Sequence, residues 1–283
     1  MRLDKFLADM GVGSRSDLKK AIRKSLVTVN GAVEKDPGAQ VSAEDHICFD
    51  GAEIRYAEQQ YYMLHKPAGV LSASEDRRQT TVVDLINLND ELVRKDLFPV
   101  GRLDKDTEGL LIITNDGPLA HQLLVPKHHI DKTYYAIVTG TITEDDQRAF
   151  TRGIRYDEKL TALPATLRVL STGKTVADLR RALGFTTTSE RLLRTRLAGP
   201  AFIGAEEPAD ITEDTLVSEV EITIQEGKFH QIKKMVKALP GGKEILYLRR
   251  ITMGALRLDP ALAPGEFRKL SEDEIKILKK ETE

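Results

Sequence analysis

Residues 101–117 read Gly-Arg-Leu-Asp-Lys-Asp-Thr-Glu-Gly-Leu-Leu-Ile-Ile-Thr-Asn-Asp-Gly, and they gather reactive groups in one place. An acid-rich polar loop closes at Gly109 and runs into the apolar stretch 110–114, which has the length and composition of a buried strand. Asn115, Asp116 and Gly117 end that strand with turn chemistry. A carboxylate at the mouth of a buried strand stands on a rigid support beside a cleft. There it can serve as acid, base or nucleophile. Asp104, Asp106 and Gly109 also match the start of a calcium loop, in which acidic side chains alternate and a glycine takes the sharp turn. That loop needs a bidentate glutamate where this chain has Asn115, and a helix where this chain reads as strand. Calcium is set aside on both grounds.

Two further stretches carry usable side chains. On a strand over 132–138, Tyr134, Ala136 and Val138 share one face, so one of Tyr134 and Tyr135 looks into a cleft with that set and the other looks away. Alternation alone does not choose between them. Residues 226–235, Glu-Gly-Lys-Phe-His-Gln-Ile-Lys-Lys-Met, follow a strand in which Val220, Ile222 and Ile224 alternate with polar residues. Phe229, Ile232, Val236 and Leu239 fall at helical spacing and are expected to form the inner stripe of a helix. Lys233, Lys234 and Lys237 are then interchangeable surface cations. His121, His128 and His129 lack His-x-x-x-His spacing, and no metal site is expected.

The first 57 residues read as a small module of their own. Leu3, Phe6, Leu7 and Met10 recur at helical spacing, Gly11 and Gly13 break the pattern, and Ser14 can cap a second helix running to about Lys24. Leu18, Ala21 and Ile22 give that helix an inner face. Arg15, Lys19, Lys20, Arg23 and Lys24 line its outside, opposed there by Asp17 alone. Residues 27–29 and 47–49 read as strands, with Asn30-Gly31 as a tight turn.

The wording and order of these stretches resemble a known family. Gly-Arg-Leu-Asp-x-x-Thr-x-Gly-Leu-Leu at 101–111, Lys-Pro-x-Gly at 66–69, Lys-x-Tyr at 132–134, Glu-Gly-Lys-x-His-Gln-Ile-Lys-Lys-Met at 226–235 and Leu-x-x-Gly-Glu-x-Arg-x-Leu at 262–270 resemble the pseudouridine synthases of the Rsu type. The opening Arg-Leu-Asp-Lys-Phe-Leu and the later Val-Thr-Val-Asn-Gly are similar to the S4-like RNA-binding domain. The resemblance covers nearly the whole chain apart from an insertion over about 171–217, where two helical patterns carry Arg180, Arg181, Arg191, Arg194 and Arg196 ahead of an acidic tract.

The resemblance implies an isomerase that breaks the bond between ribose and uracil N1, turns the base and rejoins it through C5. No cofactor is implied. Asp104 becomes the carboxylate at the anomeric centre, and it works ionised. Lys233 is the cation facing it, a point charge where other branches place an arginine clamp. Tyr134 is selected over Tyr135 as the ring stacked on the flipped uracil. Arg102 is assigned to holding the flipped nucleotide or its phosphate, and Arg250, from its charge, is a candidate phosphate contact. The basic helix, Arg15 to Lys24, would dock on structured RNA by neutralising phosphates. The favoured partner is 16S rRNA within a partly assembled small subunit, met by a monomer, with 23S rRNA the alternative substrate. A non-catalytic RNA-binding assembly protein is a further alternative, opposed by the presence of Asp104, Tyr134 and Lys233 together.

Composition sets the outer bounds. The chain has 283 residues, 41% hydrophobic and 30% charged, enough for a small domain and a larger one with real cores. It has no apolar run near the roughly 20 residues that span a bilayer, and its start lacks the apolar segment of a signal peptide. The single Cys48 cannot form an internal disulfide, which fits a cytoplasmic protein. The net charge of −2 places any RNA contact on local clusters rather than on overall charge. The expected architecture is α+β: an S4-like domain over 1–57 and a catalytic domain over 58–283, built on a mixed, largely antiparallel sheet.

Overall fold

The structure is a computed structural model that describes residues 1–54, 59–87, 96–158, 160–182 and 211–281. In the N-terminal unit Ser14 caps the helix Arg15–Arg23, its hydroxyl accepting from the Asp17 amide at 3.2 Å. A shorter helix, Leu3–Asp9, precedes it. Four short strands follow: β1 (Val27–Val29), β2 (Ala32–Val33), β3 (Ile47–Phe49) and β4 (Ala52–Ile54), ordered β2-β1-β3-β4 and all antiparallel. Asn30 and Gly31 both take positive φ, 51° and 81°, as the tight turn between β1 and β2 requires. Leu3, Phe6, Leu7, Leu18, Ile22, Val27 and Ile47 form one buried core. The basic helix also has a second acidic neighbour besides Asp17. Asp4 is fully buried in the preceding helix and bonds Arg2 and Arg15, each at 3.1 Å.

The larger unit is one mixed sheet. Its strands are β5 (Tyr61–Lys66), β6 (Phe98–Pro99), β7 (Glu108–Thr114), β8 (Lys132–Thr139), β9 (Thr166–Thr175), β10 (Leu216–Ile224), β11 (Ile245–Met253), β12 (Leu256–Arg257) and β13 (Phe267–Lys269). The order is β13-β5-β7-β11-β8-β10-β9, with β6 on β7 and β12 on β11. Every described pairing is antiparallel except β7 with β11, where Glu108 lies beside Arg249 and Gly109 beside Arg250. Gly109 is needed at that junction: with φ at 106°, a Cβ there would stand 2.2 Å from the Arg250 carbonyl oxygen.

Strands β5 and β7 are buried on both faces. Tyr62, Leu64, Leu111 and Ile113 enter one core with Tyr134, Ala136, Val220 and Ile222. Tyr61, Met63, Leu110 and Ile112 enter a second core on the opposite face. Two-sided burial is why 110–114 reads as continuous apolar sequence rather than alternation.

Three expectations need correction. Phe229 is not part of an inner helical stripe: the helix is Gln231–Lys237, and His230 before it is left-handed at φ 53°, so Phe229 falls outside the helical period. Ile232, Val236 and Leu239 are buried as expected, whereas Phe229 is 74% exposed. Residues 171–175, expected in a surface insertion, are instead the end of β9, which continues to Thr175 and pairs Lys174 with Val217 and Ser171 with Glu219. The first of the insertion's two helical patterns is the helix Val176–Ala182, while the second, with Arg191, Arg194 and Arg196, lies outside the described residues. Finally, Arg250 is 2% exposed inside the sheet, its Nε donating to the Leu110 carbonyl at 2.7 Å, a position that gives a phosphate no access.

Candidate active site

The loop before β7 is pinned from below by backbone contacts. Ser72 donates through Oγ to the Leu103 carbonyl at 2.8 Å and accepts the Leu103 amide at 3.1 Å. Lys66, at the end of β5, is 0% exposed, and its ammonium donates to the carbonyls of Pro67 (2.9 Å), Lys105 (3.3 Å) and Thr107 (2.9 Å). Burial lowers the Lys66 pKa to about 8, against the pull of Asp106, Glu108 and Asp104. The Thr107 amide donates to the Asp104 carbonyl at 3.0 Å, closing the turn. With Leu103, Lys105 and Thr107 held through the backbone, Asp104 and Asp106 keep partly exposed side chains, 26% and 25% accessible.

The second wall comes from the turn after β10 and the helix Gln231–Lys237. Gln231 is buried, donates to Glu226 Oε1 at 2.6 Å and accepts the Lys228 amide at 2.9 Å. That bracing presents His230 and Lys233 to the loop. Lys233 Nζ stands 3.2 Å from Asp104 Oδ2 and 2.6 Å from Asp106 Oδ1. His230 Nε2 is 3.7 Å from Asp104 Oδ1.

The floor is the sheet. Tyr134 on β8, 7% exposed, lines the cleft together with Leu248, Ile224, Ile232, Thr107 and the exposed Arg102. Tyr135 faces the other way, as alternation demands, and its hydroxyl donates to Glu219 at 2.6 Å. A carboxylate, a cation and an aromatic ring thus surround one open cleft. This set can hold a planar base against Tyr134 while Asp104 acts on an atom beside it.

The structure therefore brings together Asp104, Tyr134, Lys233 and Arg102, and leaves Arg250 outside. Arg15 and Lys19 do line the N-terminal helix, but their ammonium and guanidinium groups lie 3.9 Å and 3.1 Å from Asp4. Lys20 lies 3.4 Å from Asp17, and Arg23 and Lys24 are exposed. Sequence reasoning passed over Asp106, Lys66 and His230. For Lys66 the signal was available: a lysine ending a largely apolar strand, directly before a Pro-x-Gly bend, is poised to bond backbone carbonyls.

Comparison with known proteins bears on this geometry. Residues 60–238 match the model of the RNA pseudouridylate synthase family, and residues 1–47 match the S4 domain. An uncharacterised RNA pseudouridine synthase of Bacillus subtilis is 39% identical over 98% of both chains. The ribosomal small subunit pseudouridine synthase A of Pasteurella multocida is 34% identical, covering 99% of this chain and all of its own. The ribosomal large subunit pseudouridine synthase B of Bacillus subtilis is 33% identical over 98% of this chain and 95% of its own. Among solved structures, a pseudouridylate synthase superposes with a TM-score of 0.57 at 32% identity, covering 98% of this chain and 99% of its own.

Proposed function

The chain belongs to the RNA pseudouridylate synthases, and from that premise we propose that it isomerises one uridine of 16S rRNA to pseudouridine. The reaction cleaves C1′–N1, turns the uracil and forms C1′–C5; C5 loses its proton and N1 gains one, so atoms and electrons balance without a cofactor. Asp104 acts at the anomeric centre and Tyr134 stacks on the extruded base. Lys233 keeps positive charge against the carboxylate, and Arg102 at the exposed rim holds the flipped nucleotide or its phosphate. The N-terminal helix contributes affinity by neutralising phosphates. The observation that carries this reading is the convergence of Asp104, Lys233 at 3.2 Å and the Tyr134 ring on one cleft.

The 16S assignment draws on the small-subunit relative of near-complete coverage. A second reading, 23S rRNA, draws on the large-subunit relative at similar identity. We further propose that a single copy acts in the cytoplasm on a partly assembled small subunit. Tritium release from 5-tritiated uridine tests the reaction and its substrate, because isomerisation replaces the C5 hydrogen. Release from 16S rRNA but not 23S is expected, and Asp104→Ala is expected to abolish it. Release from 23S alone would overturn the substrate, and release from small-subunit particles but not naked 16S would support the assembling subunit. Silence on every RNA would overturn the isomerase reading.

A further inference from the structure

Phe229 is the most exposed large apolar side chain among the described residues, at 74%, although its spacing fits a buried stripe. Its placement is held by the local backbone. His230 adopts φ 53° and ψ 29°, the left-handed conformation that histidine takes more readily than most non-glycine residues, and this turns Phe229 away from the core that Ile232 and Val236 enter. The Phe229 ring lies flat on the His230 imidazole, centroids 3.8 Å apart at 19°. His230 in turn lines the cleft, 3.7 Å from Asp104. The Lys234 ammonium is 5.6 Å from the Phe229 ring centroid and 3.9 Å from Asp157, with its side chain 36% accessible.

We propose that Phe229 and His230 form a stacking platform for an unpaired nucleobase adjacent in the strand to the target uridine. This rests on the reading of the cleft as the site that takes a flipped uridine. Two contacts of under 4 Å separate Asp104 from the Phe229 ring. An occupant of the ring is therefore continuous with an occupant of the cleft, and the strand carrying the flipped nucleotide meets that condition. A flat aromatic face accepts any base, so the platform holds the strand in register without reading its sequence. Lys234 places positive charge where the phosphates of that strand pass.

Filter binding of transcribed 16S and 23S rRNA to Phe229→Ala, Phe229→Leu and Phe229→Tyr tests the platform, with thermal unfolding as the control for folding. Loss of one base stack weakens binding about 5- to 150-fold. The expected result is that loss for Ala and Leu, near-native affinity for Tyr, and an unchanged slope of affinity against salt, since no phosphate contact is removed. Native affinity in Phe229→Ala, or in Phe229→Leu, overturns the proposal. Tritium release keeps the two readings apart. Weakened binding by Phe229→Ala together with a wild type that releases no tritium overturns the isomerase and, with it, the platform's place beside a target uridine, leaving Phe229 a general RNA contact. Normal release and affinity in Phe229→Ala overturns the platform alone.

Discussion

Lys233 serves two carboxylates, and the nearer one is Asp106 rather than Asp104. A cation shared in this way keeps two acidic groups close together and partly screened from water, which fixes where the negative charge of Asp104 sits before substrate arrives. Removing it with Lys233→Met is expected to lower the single-turnover rate on the order of 10²- to 10³-fold, the usual cost of losing one preorganised charged donor. Lys233→Arg retains the charge and is expected to lose far less. Equal rates for wild type and Lys233→Met would remove the residue from the machinery. Motif wording singled out Lys233 and Asp104 from their neighbours. It did not reveal Asp106 as the tighter partner, because residues two apart in an irregular loop point wherever the backbone contacts of Lys66 and Ser72 send them.

Local elements were the most legible part of the fold. The Ser14 cap, the Asn30-Gly31 turn and the strand β7 each follow from residues a few positions apart. What escaped notice were features that depend on distant partners. The parallel join of β7 to β11 is one, and it predicts that Gly109→Ala destabilises by about 2–5 kcal/mol through backbone overlap and positive φ. Urea unfolding would measure this, and a variant of native stability would show that β11 yields easily. Asp4 is another, since an apolar helical period hides a buried carboxylate among its polar positions. Bonding from Arg2, ahead of that from Arg15, holds its pKa at about 2 instead of 3.8. A carboxylate held low in this way stabilises the fold above pH 3.8, and that contribution disappears as pH falls toward 2. Asp4→Asn is therefore expected to melt lower than wild type at neutral pH but to lose less on acidification through that window. Parallel melting curves for the two proteins across it would contradict the ion-pair account.

At the scale of the whole molecule, 42 basic and 44 acidic residues give a chain with no bulk attraction for RNA. Positive charge is gathered locally instead: Arg2, Arg15 and Lys19 surround the single buried carboxylate of Asp4 and stay about half exposed. Encounter with a polyanion therefore depends on small exposed clusters, such as Arg23 and Lys24, more than on a long-range field. Arg250 shows the limit of reading function from charge alone, because a guanidinium inside a sheet serves the backbone that surrounds it.

The same parallel join orders the birth of the protein in time. The N-terminal unit ends its last strand at Ile54, whereas β7, already beside β5, gains its other neighbour only when Arg249 and Arg250 reach Glu108 and Gly109. At roughly 5–20 residues per second of synthesis, a ribosome needs on the order of 10–40 s to travel between those points. For most of that interval a nascent chain owns a finished N-terminal unit but no Lys233 to set against Asp104, and β7 lacks its neighbour β11. A half-made copy can thus cling to RNA before it is able to alter it.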